Sequence, residues 1–298
     1  MTKKHFLPIF SILLLTLLLC ACAAPELSAP APTPTPDPYA GLVRVADGAG
    51  GETWVRLYDE LPAMALSAAD FAPRGSYIEY TGTQAEALRG IDVSEHQGNI
   101  DWAAVAADGV AFAMIRAGYR GSEVGLLNED DFFRANIEGA LENGLRVGVY
   151  FFSQATTATE ALEEAEFLLG LIDGYDLTLP VCFDWEPFVS LNARTNGVSG
   201  DTVTDCALVF AGTVRAAGYT PGVYFYRDLG YRFYALDRLK DLVFWAGAPG
   251  DAPDFYYAHA LWQYSYTARI PGIETDCDLD LYFLVPEAPA SETDVPAE

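Results

Sequence analysis

The chain has 298 residues, of which 51% are hydrophobic and 13% aromatic, so it can bury a large core as one domain with appendages and is too apolar to stay disordered. Its formal charge of −25, which becomes −27 without Lys3 and Lys4, repels nucleic-acid phosphates and offers no attraction to an anionic cell wall. The only other lysine, Lys240, follows Leu239, which excludes a phosphate loop of the Gly-Lys-Ser/Thr type.

Taken in chain order, residues 1–21 place Lys3 and Lys4 before an apolar run over 6–19. This is the layout of a secretory signal and too short for a comfortable membrane span, so export is expected. The run closes on Leu19-Cys20-Ala21-Cys22, which resembles a bacterial lipoprotein cleavage site with Cys22 as the lipid-bearing residue. An ordinary secretory signal cut at Ala21 or Ala23 is the alternative. A lipid on Cys22 would hold the protein on the outer surface of the bacterial membrane. Residues 22–41 then read as a Pro-rich linker, extended at about 3.1 Å per residue. Residues 42–85 carry strand-like patches at 53–58 and 76–80 and read as a small β-rich spacer or cap; 286–298 read as a disordered acidic tail.

From residue 86 to 285, apolar strand-like runs alternate with helix-like segments. The runs are 90–93, 111–116, 146–153, 179–184, 222–226, 242–246, 260–264 and 277–283. Apolar residues recur at helical spacing over 128–143, 159–171 and 202–217, and Asn143-Gly144 and Ala217-Gly218 supply stops. Eight strands alternating with helices predict an α/β fold, an irregular parallel barrel of the (β/α)8 type. The last three strand–helix units are poorly marked.

In such a barrel, functional side chains gather at the carboxyl ends of the strands. Strand by strand, this rule names Asp92 with Ser94 and Gln97, then Tyr150 and Phe152, then Asp184 and Glu186. It continues with Tyr224 and Tyr226, Trp245, then Trp262, Gln263 and Tyr264, and ends on Asp276, Asp278 and Asp280. Asp184 and Glu186 share a face because side chains alternate along a strand, and Pro187 ends the ladder just after them. Carboxylates beside flat aromatic faces suit glycosidic bond cleavage in a carbohydrate groove. Core packing and an N-capping or salt-bridging acid pair are the bland readings of the same residues.

Other chemistries fit poorly. Cys182, Cys206 and Cys277 form no Cys-x-x-Cys or Cys/His cluster, so no metal or other cofactor is expected. His96 and His259 lack a serine in nucleophile context, which disfavours a Ser-His-Asp hydrolase.

Three segments taken together carry a resemblance: Arg89-Gly-Ile-Asp-Val-Ser-Glu-His-Gln-Gly98 with Ile100-Asp-Trp102, Phe183-Asp-Trp-Glu186, and Trp262-Gln-Tyr264 before Pro271-Gly-Ile273. In this order they resemble glycoside hydrolase family 25, the bacterial and phage lysozymes, over roughly residues 89–284. The resemblance implies a flattened barrel and hydrolysis of peptidoglycan between N-acetylmuramic acid and N-acetylglucosamine. It implies Glu186 as the catalytic acid, Asp184 as its partner, Asp92 as the first-strand acid and Asp278 as the last-strand acid. Tyr150, Phe152, Tyr224, Tyr226, Trp245, Trp262 and Gln263 are the expected substrate-binding residues, glycan strands the expected partner, and a monomer the expected state. Two departures stand out: Asp280 where the family commonly has asparagine, and Trp185 where a smaller residue often separates the acids. A hydrolase of another N-acetylated glycan such as chitin, or a wall-glycan-binding lipoprotein without activity, are the competing readings.

Overall fold

The computed structural model describes residues 37–47 and 50–284. The signal, Cys22, most of the Pro-rich linker and the tail at 286–298 lie outside the described residues. The chain divides into two compact units, Met1–Ala40 and Gly41–Glu298; the described part of the first is a short turn, and everything below concerns the second.

Two antiparallel hairpins come first: β1 (Leu42–Ala46) with β2 (Glu52–Arg56), and β3 (Phe71–Arg74) with β4 (Tyr77–Tyr80). There follow β5 (Glu86–Val93), β6 (Phe112–Arg120), the short β7 (Leu127–Glu129), β8 (Arg146–Ser153) and β9 (Val181–Trp185). The last four are β10 (Pro221–Tyr226), β11 (Val243–Gly247), β12 (Leu261–Ala268) and β13 (Cys277–Leu284). Eight of these close a barrel in the order β5-β6-β8-β9-β10-β11-β12-β13, with β13 returning to β5 and β7 adding antiparallel to β6. All eight predicted strand runs are therefore present.

The parallel expectation fails at one strand. β13 runs antiparallel to both β12 and β5, whereas the pairings from β5 round to β12 are parallel. The reason is chain length: residues 269–276 hold no helix between β12 and β13, and a parallel return needs a crossover of about a dozen residues or more.

Among the described residues, five α-helices accompany the strands: α1 (Trp102–Ala107), α2 (Phe133–Glu142), α3 (Ala158–Ile172), α4 (Gly200–Ala216) and α5 (Arg227–Arg232). Thr157 caps α3 by accepting from Glu160 N at 3.3 Å, and Ser199 caps α4 by accepting from Thr202 N at 3.2 Å. The segment predicted as one helix from 128 starts instead with β7. Asp130 accepts from Phe132 N at 2.9 Å and pairs with Arg116 Nε at 2.8 Å, which turns the chain before α2 begins.

Where the outer helix layer thins, the N-terminal hairpins take its place. Phe71 on β3 packs edge-on against Trp262 at 5.5 Å and Phe283 at 5.9 Å, covering the outer faces of β12 and β13. Inside the barrel, Phe112, Met114, Leu179, Cys182 and Leu261 fill the bottom. The interior is narrow enough that glycines face it: a Cβ on Gly222 would lie 2.6 Å from Cys182 Sγ, and the Phe112 ring occupies the space beside Gly90. Cys182, Cys206 and Cys277 are all buried and free.

Candidate active site

Above that apolar floor the barrel opens into a cleft of about 900 Å³, within the range of ligand pockets. Period-two alternation decides what reaches it. Tyr150 and Phe152 on β8, Asp184 and Glu186 at the end of β9, Tyr224 and Tyr226 on β10, and Trp245 on β11 all line it. So do Asp92 from β5, Gln263 from β12, and Asp276 and Asp278 from the start of β13. The acids of β13 arrive at this end because the strand runs backwards; its carboxyl end lies at the other mouth of the barrel.

Trp262 is a correction to the expected site. It neighbours Gln263 on one strand, so the two point to opposite faces. Gln263 faces the cleft, while Trp262 is fully buried outside, donating from Nε1 to Ala248 O at 2.7 Å and packing on Phe71. Trp262→Ala is therefore expected to cost about 3–5 kcal/mol of stability in urea unfolding, with no lining residue of the cleft removed. Trp185 also points outward, stacked on Phe233 at 5.4 Å with Nε1 donating to Ala155 O at 2.9 Å, so its bulk does not separate the acids.

Several lining residues escape the acid-and-aromatic criterion. Arg116 lies midway along β6 and joins the cleft, where its charge opposes the rise in the Asp184 pKa. It is held by Asp130 and by Glu95, at 3.0 Å from Nη2. The predicted run 111–116 ends on Arg116, whereas the observed strand continues to Arg120. Tyr266 was not legible: register shifts after Gln263 and Ser265 change the alternation and bring it to the cleft. His96 lines it from the 3-10 turn Glu95–Gln97, and Phe188 and Thr275 line it from loops.

The acids are bound into one network. Gln263 Nε2 donates to Asp92 Oδ2 at 2.7 Å and to Asp278 Oδ2 at 3.1 Å, and Gln263 Oε1 accepts from Tyr224 OH at 2.7 Å. One amide thus sets the spacing of two carboxyl groups. Trp245 Nε1 donates to Asp280 Oδ1 at 2.8 Å. Asp280 Oδ2 is buried with no hydrogen-bond partner, and the neighbouring charge of Asp280 helps raise the proton affinity of Asp92. Glu186 is placed through its backbone: Gln154 Nε2 donates to its carbonyl at 2.6 Å, and Arg194 Nη1 donates to Gln154 O at 3.0 Å.

Burial raises the proton affinity of Asp92, Asp184, Glu186, Asp278 and Asp280. Glu186 is pushed up to about 7, with burial as the cause. Asp278 rises to about 8 through burial and then the charges of Asp92 and Glu186, and Asp280 rises to about 8 through burial. Asp92 and Asp184 are raised well above the usual carboxylate range, first by burial and then by neighbouring carboxylates. Asp184 Oδ1 is buried with no hydrogen-bond partner inside the protein, which leaves it an unsatisfied acceptor.

Asp280 offers a direct check on proton sharing. Asp280→Asn can keep the Trp245 bond through Oδ1 and present from Nδ2 a donor where Asp280 Oδ2 has no partner, without a titrating group. The variant should lose less thermal stability between pH 5 and pH 8 than the parent; an equal loss would show that Asp280 takes no part in holding protons. Among the described residues, no group of three or more His, Cys, Asp or Glu is arranged to hold a metal ion.

The profile of glycosyl hydrolases family 25 matches residues 91–273, more than half of the chain and the whole sector from the first strand acid to the turn before β13. The chain belongs to glycosyl hydrolases family 25. Relatives of this family 25 chain include an autolytic lysozyme of Clostridium acetobutylicum, 29% identical over 65% of this chain and 55% of that one. An N,O-diacetylmuramidase of Arthroderma benhamiae is 26% identical over 72% of this chain and 92% of its own length. Among solved structures, the modular autolysin LytC of Streptococcus pneumoniae superposes with a TM-score of 0.60 at 26% identity, covering 81% of this chain and 56% of that one. A lysozyme of Streptomyces coelicolor shares the fold with a TM-score of 0.54 at 24% identity, over 66% and 92% of the two chains. The chain thus spans little more than half the length of the clostridial lysozyme and of LytC.

Proposed function

We propose that this chain is a lysozyme that hydrolyses the β-1,4 bond between N-acetylmuramic acid and N-acetylglucosamine in peptidoglycan. The observation that carries the reading is Glu186, held up to about 7 by burial beside Asp184 on the same face of β9, in a cleft walled by tyrosines and a tryptophan. A carboxyl group that keeps its proton near neutrality can donate it to a leaving oxygen, which an ordinary glutamate cannot. The names of the relatives, autolytic lysozyme and N,O-diacetylmuramidase, support the same substrate class.

In the proposed reaction Glu186 protonates the glycosidic oxygen as its bond to the muramic anomeric carbon breaks. The carbonyl oxygen of the sugar's own acetamido group attacks that carbon, and the free Oδ1 of Asp184 accepts from the acetamido N–H and stabilises its developing positive charge. Water then opens the cyclic intermediate, Glu186 taking its proton, so the anomeric configuration is retained. Asp92 and Asp278 hold the floor of the site through Gln263, and Tyr150, Phe152, Tyr224, Tyr226 and Trp245 supply sugar-binding faces. The protein acts outside the cytoplasm as a monomer, exported by residues 1–21 and tethered by a lipid on Cys22 through the Pro-rich linker.

The test is the identity of the new ends. The form starting at Ala23 is incubated with purified peptidoglycan, and released fragments are reduced with borohydride and read by mass spectrometry. Reduced muramic acid ends are expected. Reduced glucosamine ends, or no release, would overturn the reading, and an inverted anomer seen by NMR would overturn the retaining step alone.

A further inference from the structure

Past Tyr226 and Tyr266 the cleft adjoins a second pocket of about 540 Å³, and these two tyrosines line both. Its other walls include Arg227 and Arg232 from α5, Pro249, and Asp47 at the end of β1. The hairpin is built into this wall: Arg232 Nη2 donates to Thr53 Oγ1 at 2.9 Å, and Val45 and Val55 are buried beneath it. Residues 42–56 lie outside the span 91–273 that the family profile matches, so the profile does not account for this wall.

The chemistry of the pocket narrows its occupant. Arg227 Nε donates to Asp254 Oδ1 at 2.8 Å, and Arg232 Nε pairs with Asp228 Oδ1 at 2.6 Å. With Asp47 also in the lining, there is no surplus of positive charge, so a carboxylate or phosphate gains nothing by entering. Paired guanidinium and carboxylate groups beside tyrosine faces instead present donors, acceptors and flat apolar surface together, which is what sugar hydroxyls and pyranose rings require.

We propose that this second pocket is an additional glycan subsite. It takes a neutral N-acetylglucosamine unit of a strand that already lies across the acids, with the β1–β2 hairpin as its outer wall. The choice of sugar rests on the lysozyme reading; the existence of a length-reading subsite does not depend on cleavage. Its effect is a preference for long strands over short fragments.

Binding by a non-cleaving form separates the two. Glu186→Gln protein is titrated calorimetrically with peptide-free strands of alternating N-acetylglucosamine and N-acetylmuramic acid, of four and of eight sugars. The longer strand should bind about tenfold tighter, and adding Arg232→Ala or Asp47→Ala should bring that ratio near one. Arg232 is half-exposed and Asp47 ends a strand, so neither change threatens the barrel. A tenfold ratio that survives both substitutions, a ratio of one in the starting protein, or no binding of either strand would overturn the proposal. So would a length effect that appears only on strands keeping their peptides, which would assign the pocket to the peptide. If length-dependent binding stands while the Ala23 form releases nothing from peptidoglycan, the lysozyme reading falls and the subsite remains.

Discussion

Glu186→Gln is expected to lower turnover on peptidoglycan by at least about a hundredfold, the lower end of what a positioned general acid contributes. The substitution keeps the shape of the side chain and leaves its backbone anchor, the 2.6 Å bond from Gln154 Nε2 to the Glu186 carbonyl, untouched. It removes only the proton that burial keeps available at about pH 7. Substrate affinity should therefore stay near that of the parent while kcat falls, because the proton moves in the transition state and not in the bound complex. Near-normal turnover would mean that another group, with Asp278 the next candidate, carries the proton.

Raising the pH from 5 to 8 should both weaken the fold and switch off activity. Glu186 is held up to about 7, and Asp278 and Asp280 to about 8, with Asp92 and Asp184 displaced in the same direction. In the unfolded chain these acids ionise near their ordinary values of about 4. Below that pH both states hold the protons and the stabilisation is fully present. Between about 4 and 8 the folded state binds more protons than the unfolded one, so stability falls as pH rises. Thermal unfolding should show Tm lower by several degrees at pH 8 than at pH 5. A flat profile would show that the cluster is ionised in the native state. Activity should fall along an alkaline limb near pH 7 as Glu186 loses its proton, and an enzyme still gaining rate above pH 8 would contradict its role as the acid.

Much of this site is legible in the residues because alternation along a strand is a local property. Asp184 and Glu186 share a face, as do Tyr224 with Tyr226 and Tyr150 with Phe152, and all six line the cleft. The same rule, applied strictly, would have set Trp262 against Gln263 from the start. What it could not give was Tyr266, whose orientation depends on irregular pairing between β12 and β13. Nor could it order the forces on Glu186, since burial depends on every element that closes over the cleft.

Composition, the alternation of strand-like and helix-like runs, and the three ordered motifs were enough to name an α/β barrel of family 25 with acids gathered at one mouth, because hydrophobic period and strand-end position are properties of short stretches of chain. The reversed direction of β13, the pairing of Asp278 with Asp92 across it, the replacement of missing helices by the β3–β4 hairpin, and the second pocket behind Tyr226 and Tyr266 each depend on residues far apart in the chain. They are settled by which surfaces meet when the barrel closes, and short-range pattern holds no record of that.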